Sequence, residues 1–139
     1  MHRVFFSLGS NLGDRKNTIK SAIERLNSEV GPVAGQSTLY ETEPWGFESS
    51  HGFLNAAVCC DTDLSPHEIL DVTQNIEITL GRKQKSVNGC YHDRPIDIDI
   101  LLYDNVEMSD ETLTIPHPHM YERDFVMLPL KEILDLKLK

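Results

Sequence analysis

The chain has 139 residues, with 13 Lys and Arg against 22 Asp and Glu for a net charge of −9, a length that suits one domain, residues 1–139, better than two. Hydrophobic residues at 40% and charged residues at 25% exclude wholesale disorder, a collagen-like repeat and a coiled coil, and no apolar run approaches the roughly 20 residues that cross a bilayer. The acidic balance excludes coating of nucleic acid by bulk electrostatics, and Cys59, Cys60 and Cys90 lack C-x-x-C spacing, which leaves a reducing cytoplasm as the expected location.

Residues 3–8, rich in Val and Phe, read as a strand closed by the turn Gly9-Ser10-Asn11-Leu12-Gly13, with Asp14 as the N-cap of a helix. Ile19, Ala22, Ile23 and Leu26 then fall at i, i+3, i+4 and i+7, one apolar face of that helix. Gly31-Pro32 breaks it, and residues 33–42 form a β-type run before the loop Glu43-Pro44-Trp45-Gly46. Residues 53–61 contain a nearly continuous apolar run and predict a central strand buried on both faces. Ser65-Pro66-His67-Glu68 predicts a capping box, Ile69, Val72, Ile76 and Leu80 the apolar face of a second helix, and Gly81 its terminator. After an irregular basic stretch, Ile96-Asp97-Ile98-Asp99-Ile100 alternates with period two as a fourth strand. The order βαββαβ is that of a ferredoxin-like α+β sandwich, with two helices packed on one face of an antiparallel sheet. An extended C-terminal segment with an amphipathic stretch over residues 130–138 completes the chain.

Asp97 and Asp99 lie two apart on a strand and therefore project from one face, while Ile96, Ile98 and Ile100 anchor the strand in the core. Paired carboxylates on a rigid element suit Mg²⁺, which takes one or two carboxylates and leaves its other positions to water and substrate phosphates. Polar alternation on a half-exposed strand would give the same pattern, and for an isolated D-x-D that is the commoner explanation. The preceding segment favours the metal: Arg82, Lys83, Lys85 and Arg94 stand against the single acid Asp93 in an otherwise acidic chain, positive charge suited to the phosphates that metal ions bridge. The Gly9 turn resembles an anion-binding helix start without Walker or dinucleotide spacing, and no ligand spacing supports zinc at His117 and His119.

Five separated segments agree with one family: Gly9-Ser10-Asn11-Leu12-Gly13, Tyr40-Glu41-Thr42-Glu43-Pro44-Trp45-Gly46, Phe53-Leu54-Asn55-Ala56-Ala57, Arg94-Pro95-Ile96-Asp97-Ile98-Asp99-Ile100-Leu101, and the run from Ile115-Pro116-His117-Pro118-His119 to Arg123-Asp124-Phe125. The chain closely resembles the 6-hydroxymethyl-7,8-dihydropterin pyrophosphokinases of folate biosynthesis over nearly its whole length. The resemblance implies transfer of the β,γ-diphosphate of ATP to the pterin hydroxymethyl group, giving AMP and the pterin diphosphate. It implies two Mg²⁺ ions on Asp97 and Asp99, with Arg82 and Arg94 joining them in catalysis. Thr42, Pro44, Trp45, Phe53, Asn55 and Phe125 would bind the pterin, the two phenylalanines sandwiching it and Asn55 bonding its edge. Gln74, Glu77, Lys85, Arg94, Ile100, His117 and Arg123 would take the ATP side. ATP and the pterin are thus the expected partners, with no nucleic acid or membrane, in a monomer or weak oligomer. The basic segment departs from the family, carrying Gly89-Cys90-Tyr91-His92-Asp93-Arg94 where many members have an Arg-Trp-Gly-Pro-Arg run. Thr112 likewise stands where some members have a basic residue. The alternative, common on this fold, is a small-molecule-binding regulatory module without catalysis.

Overall fold

The computed structural model describes residues 1–11, 13–42, 52–81 and 96–135. The elements follow in the order β1 (His2–Ser10), α1 (Arg15–Glu29), β2 (Val33–Gln36), β3 (Tyr40–Thr42), β4 (Phe53–Thr62), α2 (Pro66–Thr79), β5 (Asp97–Tyr103), β6 (Met108–Ser109), β7 (Thr114–Ile115), a 3-10 turn (Met120–Glu122) and α3 (Asp124–Asp135). Among the described residues β1 to β5 form one antiparallel sheet in the order β2-β4-β1-β5, with β3 beside β2 on the same edge of β4, and β6 and β7 form a small hairpin.

Local chemistry starts and stops the helices as expected. The Asp14 carboxylate accepts the Asn17 N–H at 3.3 Å, and Ser65 and Glu68 bond reciprocally to each other's backbone N–H at 3.3 and 2.9 Å, satisfying donors that helix starts leave open. Gly81, at φ +108°, takes the terminating conformation that a side chain would oppose.

Pleating of the strands builds two cores. On the first face Val4, Phe6 and Leu8 of β1, Ala56, Val58 and Cys60 of β4, and Ile98 and Ile100 of β5 pack with Ile19, Ala22 and Leu26 of α1 and Ile69 and Ile76 of α2. The second face gathers Phe5, Ala57, Cys59 and Leu101 against Met120 and against Val126, Leu130 and Ile133 of α3. The central, doubly buried β4 and the two helices on one face agree with the sequence. A third helix on the other face is additional: it begins at Asp124 rather than near residue 130 and runs through Pro129, whose missing N–H removes one helical bond.

The expected single strand over residues 33–42 is two short ones. Between them Ser37 donates its N–H to the Ala57 carbonyl and accepts the Ala57 N–H on its own Oγ, both at 2.9 Å, so a side chain replaces a rung of the ladder. A register shift between Phe5 and Phe6 against β5 leaves Leu101 as an extra residue, so that Leu101 and its neighbour Leu102 both pack with the second core, the usual consequence of a bulge.

Two full cores predict matched penalties. Leu26→Ala on the first face and Leu130→Ala on the second should each cost about 2–5 kcal/mol, measured by urea unfolding; a near-neutral Leu130→Ala would mean that α3 is an appendage rather than the cover of a core.

Candidate active site

The second face changes character along the sheet. From the end under α3 outward, β1 presents Phe5, Ser7 and Gly9; β4 presents Cys59, Ala57 and Asn55; and β5 presents Leu102, Asp99 and Asp97, aligned by the rows Cys59–Phe5–Leu102, Ala57–Ser7–Asp99 and Asn55–Gly9–Asp97. Apolar residues meet α3 at one end, and carboxylates and an amide occupy the other.

Gly9 makes the polar end possible. A Cβ there would lie 3.2 Å from Asn55 Oδ1 and 3.5 Å from Phe53 Cδ1, so the bare backbone lets both β4 side chains lean over β1. Asn55 is buried at 2% exposure, and its Nδ2 donates to the Tyr40 carbonyl at 3.4 Å. Phe53 is half-buried and pairs in register with Thr42. Phe125, in the first turn of α3, is half-buried against the second core, and the Arg123 guanidinium stands 5.7 Å from its ring centroid, within cation–π range.

Asp97 and Asp99 are both half-buried, with Ile96, Ile98 and Ile100 buried beneath them. Both acids line a cleft of about 360 Å³ with Gln74 and Glu77 of α2, Ile100, the residues 110–114 of the β6–β7 turn, and His117. This cleft runs along the outer edge of β5, the edge strand, whose unpaired backbone groups need partners. Glu77 supplies one, its Oε2 accepting the Ile98 N–H at 2.8 Å from a residue only 6% exposed. His117 supplies another, donating its backbone N–H to the Leu101 carbonyl at 3.0 Å.

The His117 ring accepts the His119 N–H on Nδ1 at 3.3 Å. Burial, then the nearby Arg123 and His119, hold its pKa below the ordinary value against a smaller opposing pull from Asp97. The ring is therefore neutral at pH 7 with its proton on Nε2, a hydrogen-bond donor. Across the cleft, Asp110 Oδ1 accepts the N–H groups of Thr112 and Leu113, both at 2.9 Å, and its Oδ2 meets His67 Nε2 at 2.8 Å; these bonds hold its pKa down to about 2 and fix the β6–β7 turn that bears Thr112.

The structure thus brings Asp97, Asp99, Gln74, Glu77, Ile100 and His117 to one cleft, and Phe53 and Asn55 together beside Gly9. Pro44, Trp45, Arg82, Lys85 and Arg94 lie outside the described residues, and Thr42 marks where β3 leaves them. Sequence reasoning missed the floor made by Gly9, read there as turn chemistry, and the lining turn at Asp110, for which the Asp110-Glu111-Thr112 run between short β-type segments was the available signal. It also missed Arg15, which donates to the Gly52 carbonyl at 2.8 Å and lies 3.6 Å from Glu41, tying together the two sides of the segment that holds Pro44 and Trp45.

Paired carboxylates on a rigid strand beside an open cleft are an arrangement that enzymes moving phosphoryl groups can use. The comparisons give the family. The family model for 7,8-dihydro-6-hydroxymethylpterin-pyrophosphokinase matches residues 5–135. The chain is 53% identical over 131 residues to the 2-amino-4-hydroxy-6-hydroxymethyldihydropteridine pyrophosphokinase of Porphyromonas gingivalis, covering 94% of this chain and 89% of that one. It is 43% identical to the Bacillus subtilis enzyme of the same name, covering 94% and 77%. Among solved structures, wild-type Plasmodium falciparum HPPK-DHPS aligns with a TM-score of 0.76 at 16% identity, over 99% of this chain and 41% of that larger one, a likeness of fold. The chain belongs to the 7,8-dihydro-6-hydroxymethylpterin-pyrophosphokinase family. It is a pyrophosphokinase of folate biosynthesis, with ATP as its co-substrate.

The contacts of Gly9 generate a prediction. In Gly9→Ala the added methyl lies 3.2 Å from the buried Asn55 Oδ1 and in ordinary contact with Phe53, so, with Asn55 on the pterin edge as the family resemblance implies, the KM for the family's pterin substrate should rise about tenfold, the factor that corresponds to roughly 1.4 kcal/mol. The KM for ATP should stay unchanged, as steady-state kinetics would read; equal changes in both constants would contradict the role given to Gly9.

Proposed function

We propose that this chain, as one domain over residues 1–139, transfers the β,γ-diphosphate of ATP to the hydroxymethyl oxygen of 6-hydroxymethyl-7,8-dihydropterin. The oxygen attacks the β-phosphorus, the bond from that phosphorus to the α-side bridging oxygen breaks, AMP leaves, and the hydroxyl proton is lost. One observation carries this reading: the row Asn55–Gly9–Asp97 sets an amide and a carboxylate two strand spacings apart, roughly 10 Å, with Asn55 and Phe53 leaning over the glycine that separates them. A flat fused heterocycle against Phe53, its edge on Asn55, would direct a one-carbon arm toward Asp97.

The donor set fits Mg²⁺: two carboxylates on a rigid strand, hard oxygen ligands, with substrate phosphates and water left to fill the other positions. Asp97 and Asp99 would hold two such ions, which when bound neutralise charge on the transferring diphosphate. Phe53 and Phe125 would clasp the pterin faces, and Thr42, Pro44 and Trp45 would read its remaining edge. His117 offers its Nε2–H to phosphate oxygens, with Gln74, Ile100, Lys85 and Arg123 on the nucleotide side. Glu77 serves that side by holding β5 in place through Ile98. Arg82 and Arg94 would add charge-assisted contacts to the diphosphate. Positioning and electrostatics would supply most of the acceleration. No helix among the described residues is long and apolar enough to cross a membrane, and we infer action in the cytoplasm as a monomer or weak oligomer.

Purified protein with ATP, Mg²⁺ and the pterin should release AMP, resolved by chromatography, and EDTA should abolish it. Asp97→Ala and Asp99→Ala should each lower turnover at least about a hundredfold while the melting temperature stays close to wild type. ADP as product, or full activity in both variants, would overturn the reading.

A further inference from the structure

Glu132 lies on α3 and gathers three donors, two from Thr38 between β2 and β3 and one from Tyr40 at the start of β3. Its Oε1 accepts the Tyr40 hydroxyl at 2.6 Å and Thr38 Oγ1 at 2.8 Å, and its Oε2 accepts the Thr38 N–H at 2.8 Å. Bonds to an ionised acceptor are short and strong, and they hold the Glu132 carboxyl below its ordinary pKa, with the Tyr40 bond the largest cause.

The geometry ties this clamp to the site. Glu132 follows Phe125 by seven residues, two turns along the same helical face, so the clamp resists both rotation and sliding of the helix that carries Phe125. At its other end Tyr40 pairs with Asn55 in the ladder, and its carbonyl accepts Asn55 Nδ2 at 3.4 Å. With the amide nitrogen turned toward β3, Asn55 Oδ1 is the atom that leans over Gly9. Held at its hydroxyl by α3 and joined through its carbonyl to Asn55, Tyr40 connects the two walls that would enclose the pterin. Neither Tyr40 nor Glu132 lines the cleft along β5.

We propose that Tyr40 and Glu132 are positioning residues for the pterin, acting through the orientation of Asn55 and the seating of α3. This rests on the reading of Asn55 as the residue that meets the pterin edge. The test is steady-state kinetics of the full chain with both substrates on Tyr40→Phe, Glu132→Gln, the double variant, Thr38→Val and Asn55→Ala, with melting temperatures alongside. Tyr40→Phe should raise the KM for the pterin about tenfold, the loss of one hydrogen bond to a charged group, with the KM for ATP unchanged. Glu132→Gln should add less in the Tyr40→Phe background than alone, because the two share one bond. Thr38→Val, which removes a different bond to the same carboxylate, should lower the melting temperature without moving the pterin KM. A lowered melting temperature with both KM values unchanged, or an equal rise in both, would reduce the clamp to a structural tie and overturn the proposal. So would a Thr38→Val effect on pterin KM equal to that of Tyr40→Phe. If Asn55→Ala raises the pterin KM while Tyr40→Phe and Glu132→Gln do not, the relay alone fails; if Asn55→Ala changes nothing, the pterin-edge reading fails with it.

Discussion

Antiparallel strands must place alternate residues on opposite faces, and among the described residues the second face of this sheet is covered by α3 over only part of its length. Under α3 the positions of β1, β4 and β5 that face it are Phe5, Cys59 and Leu102, which need the cover; beyond it they are Gly9, Asn55 and Asp97. The first face meanwhile buries Leu8, Ala56 and Ile98 beneath α1 and α2 at the same level of the sheet. Burial of those neighbours fixes the register, since a slip by one residue would turn two isoleucines outward and two aspartates into the core. The site is thus held by a hydrophobic core on the far side of the strands that carry it.

The cleft follows from a second constraint. β5 is an edge strand, and buried or half-buried edge groups require partners. The Ile98 N–H is satisfied by a side chain from α2 and the Leu101 carbonyl by the backbone of His117. Because those partners come from separate segments, a gap of about 360 Å³ remains between α2, the β6–β7 turn and the edge. Asp97 and Asp99 sit between this cleft and the face over Gly9. Under the proposed function the two aspartates would border a nucleotide on one side and a flat heterocycle on the other, the arrangement that transfer between two bound substrates requires.

What could be read from the sequence was what depends on near neighbours. The capping box at Ser65 and Glu68, the stop at Gly81 and the shared face of Asp97 and Asp99 are settled within a few residues, and each is found as expected. Contacts between distant segments were not legible. The start of α3 was hidden because Pro129 interrupts its helical signal while its apolar face finds a core only in the folded chain. The split of residues 33–42 depends on Ser37 meeting Ala57. Glu77 matched the family on the nucleotide side, yet its carboxylate is engaged with Ile98, a partner 21 residues away that no helical spacing could indicate. The family motifs carried the pterin residues, because nothing in the local pattern separates Phe53 or Phe125 from ordinary core aromatics.

Charge explains why the motif needs its surroundings. The chain carries −9 overall, and the described cleft is lined by Asp97, Asp99, Asp110, Glu111 and Glu77, with a neutral His117. A triphosphate alone would meet repulsion there, and at an effective dielectric near 20 each pair of like charges about 4 Å apart costs about 4 kcal/mol before screening. Under the proposed function, divalent cations held by Asp97 and Asp99 would reverse the sign of that interaction. Asp110 is fixed in place by its own turn and by His67, and Glu77 by the Ile98 N–H. Those two acids hold the walls, and Asp97 and Asp99, which share one face of β5, are the pair on which a metal-bound diphosphate would depend.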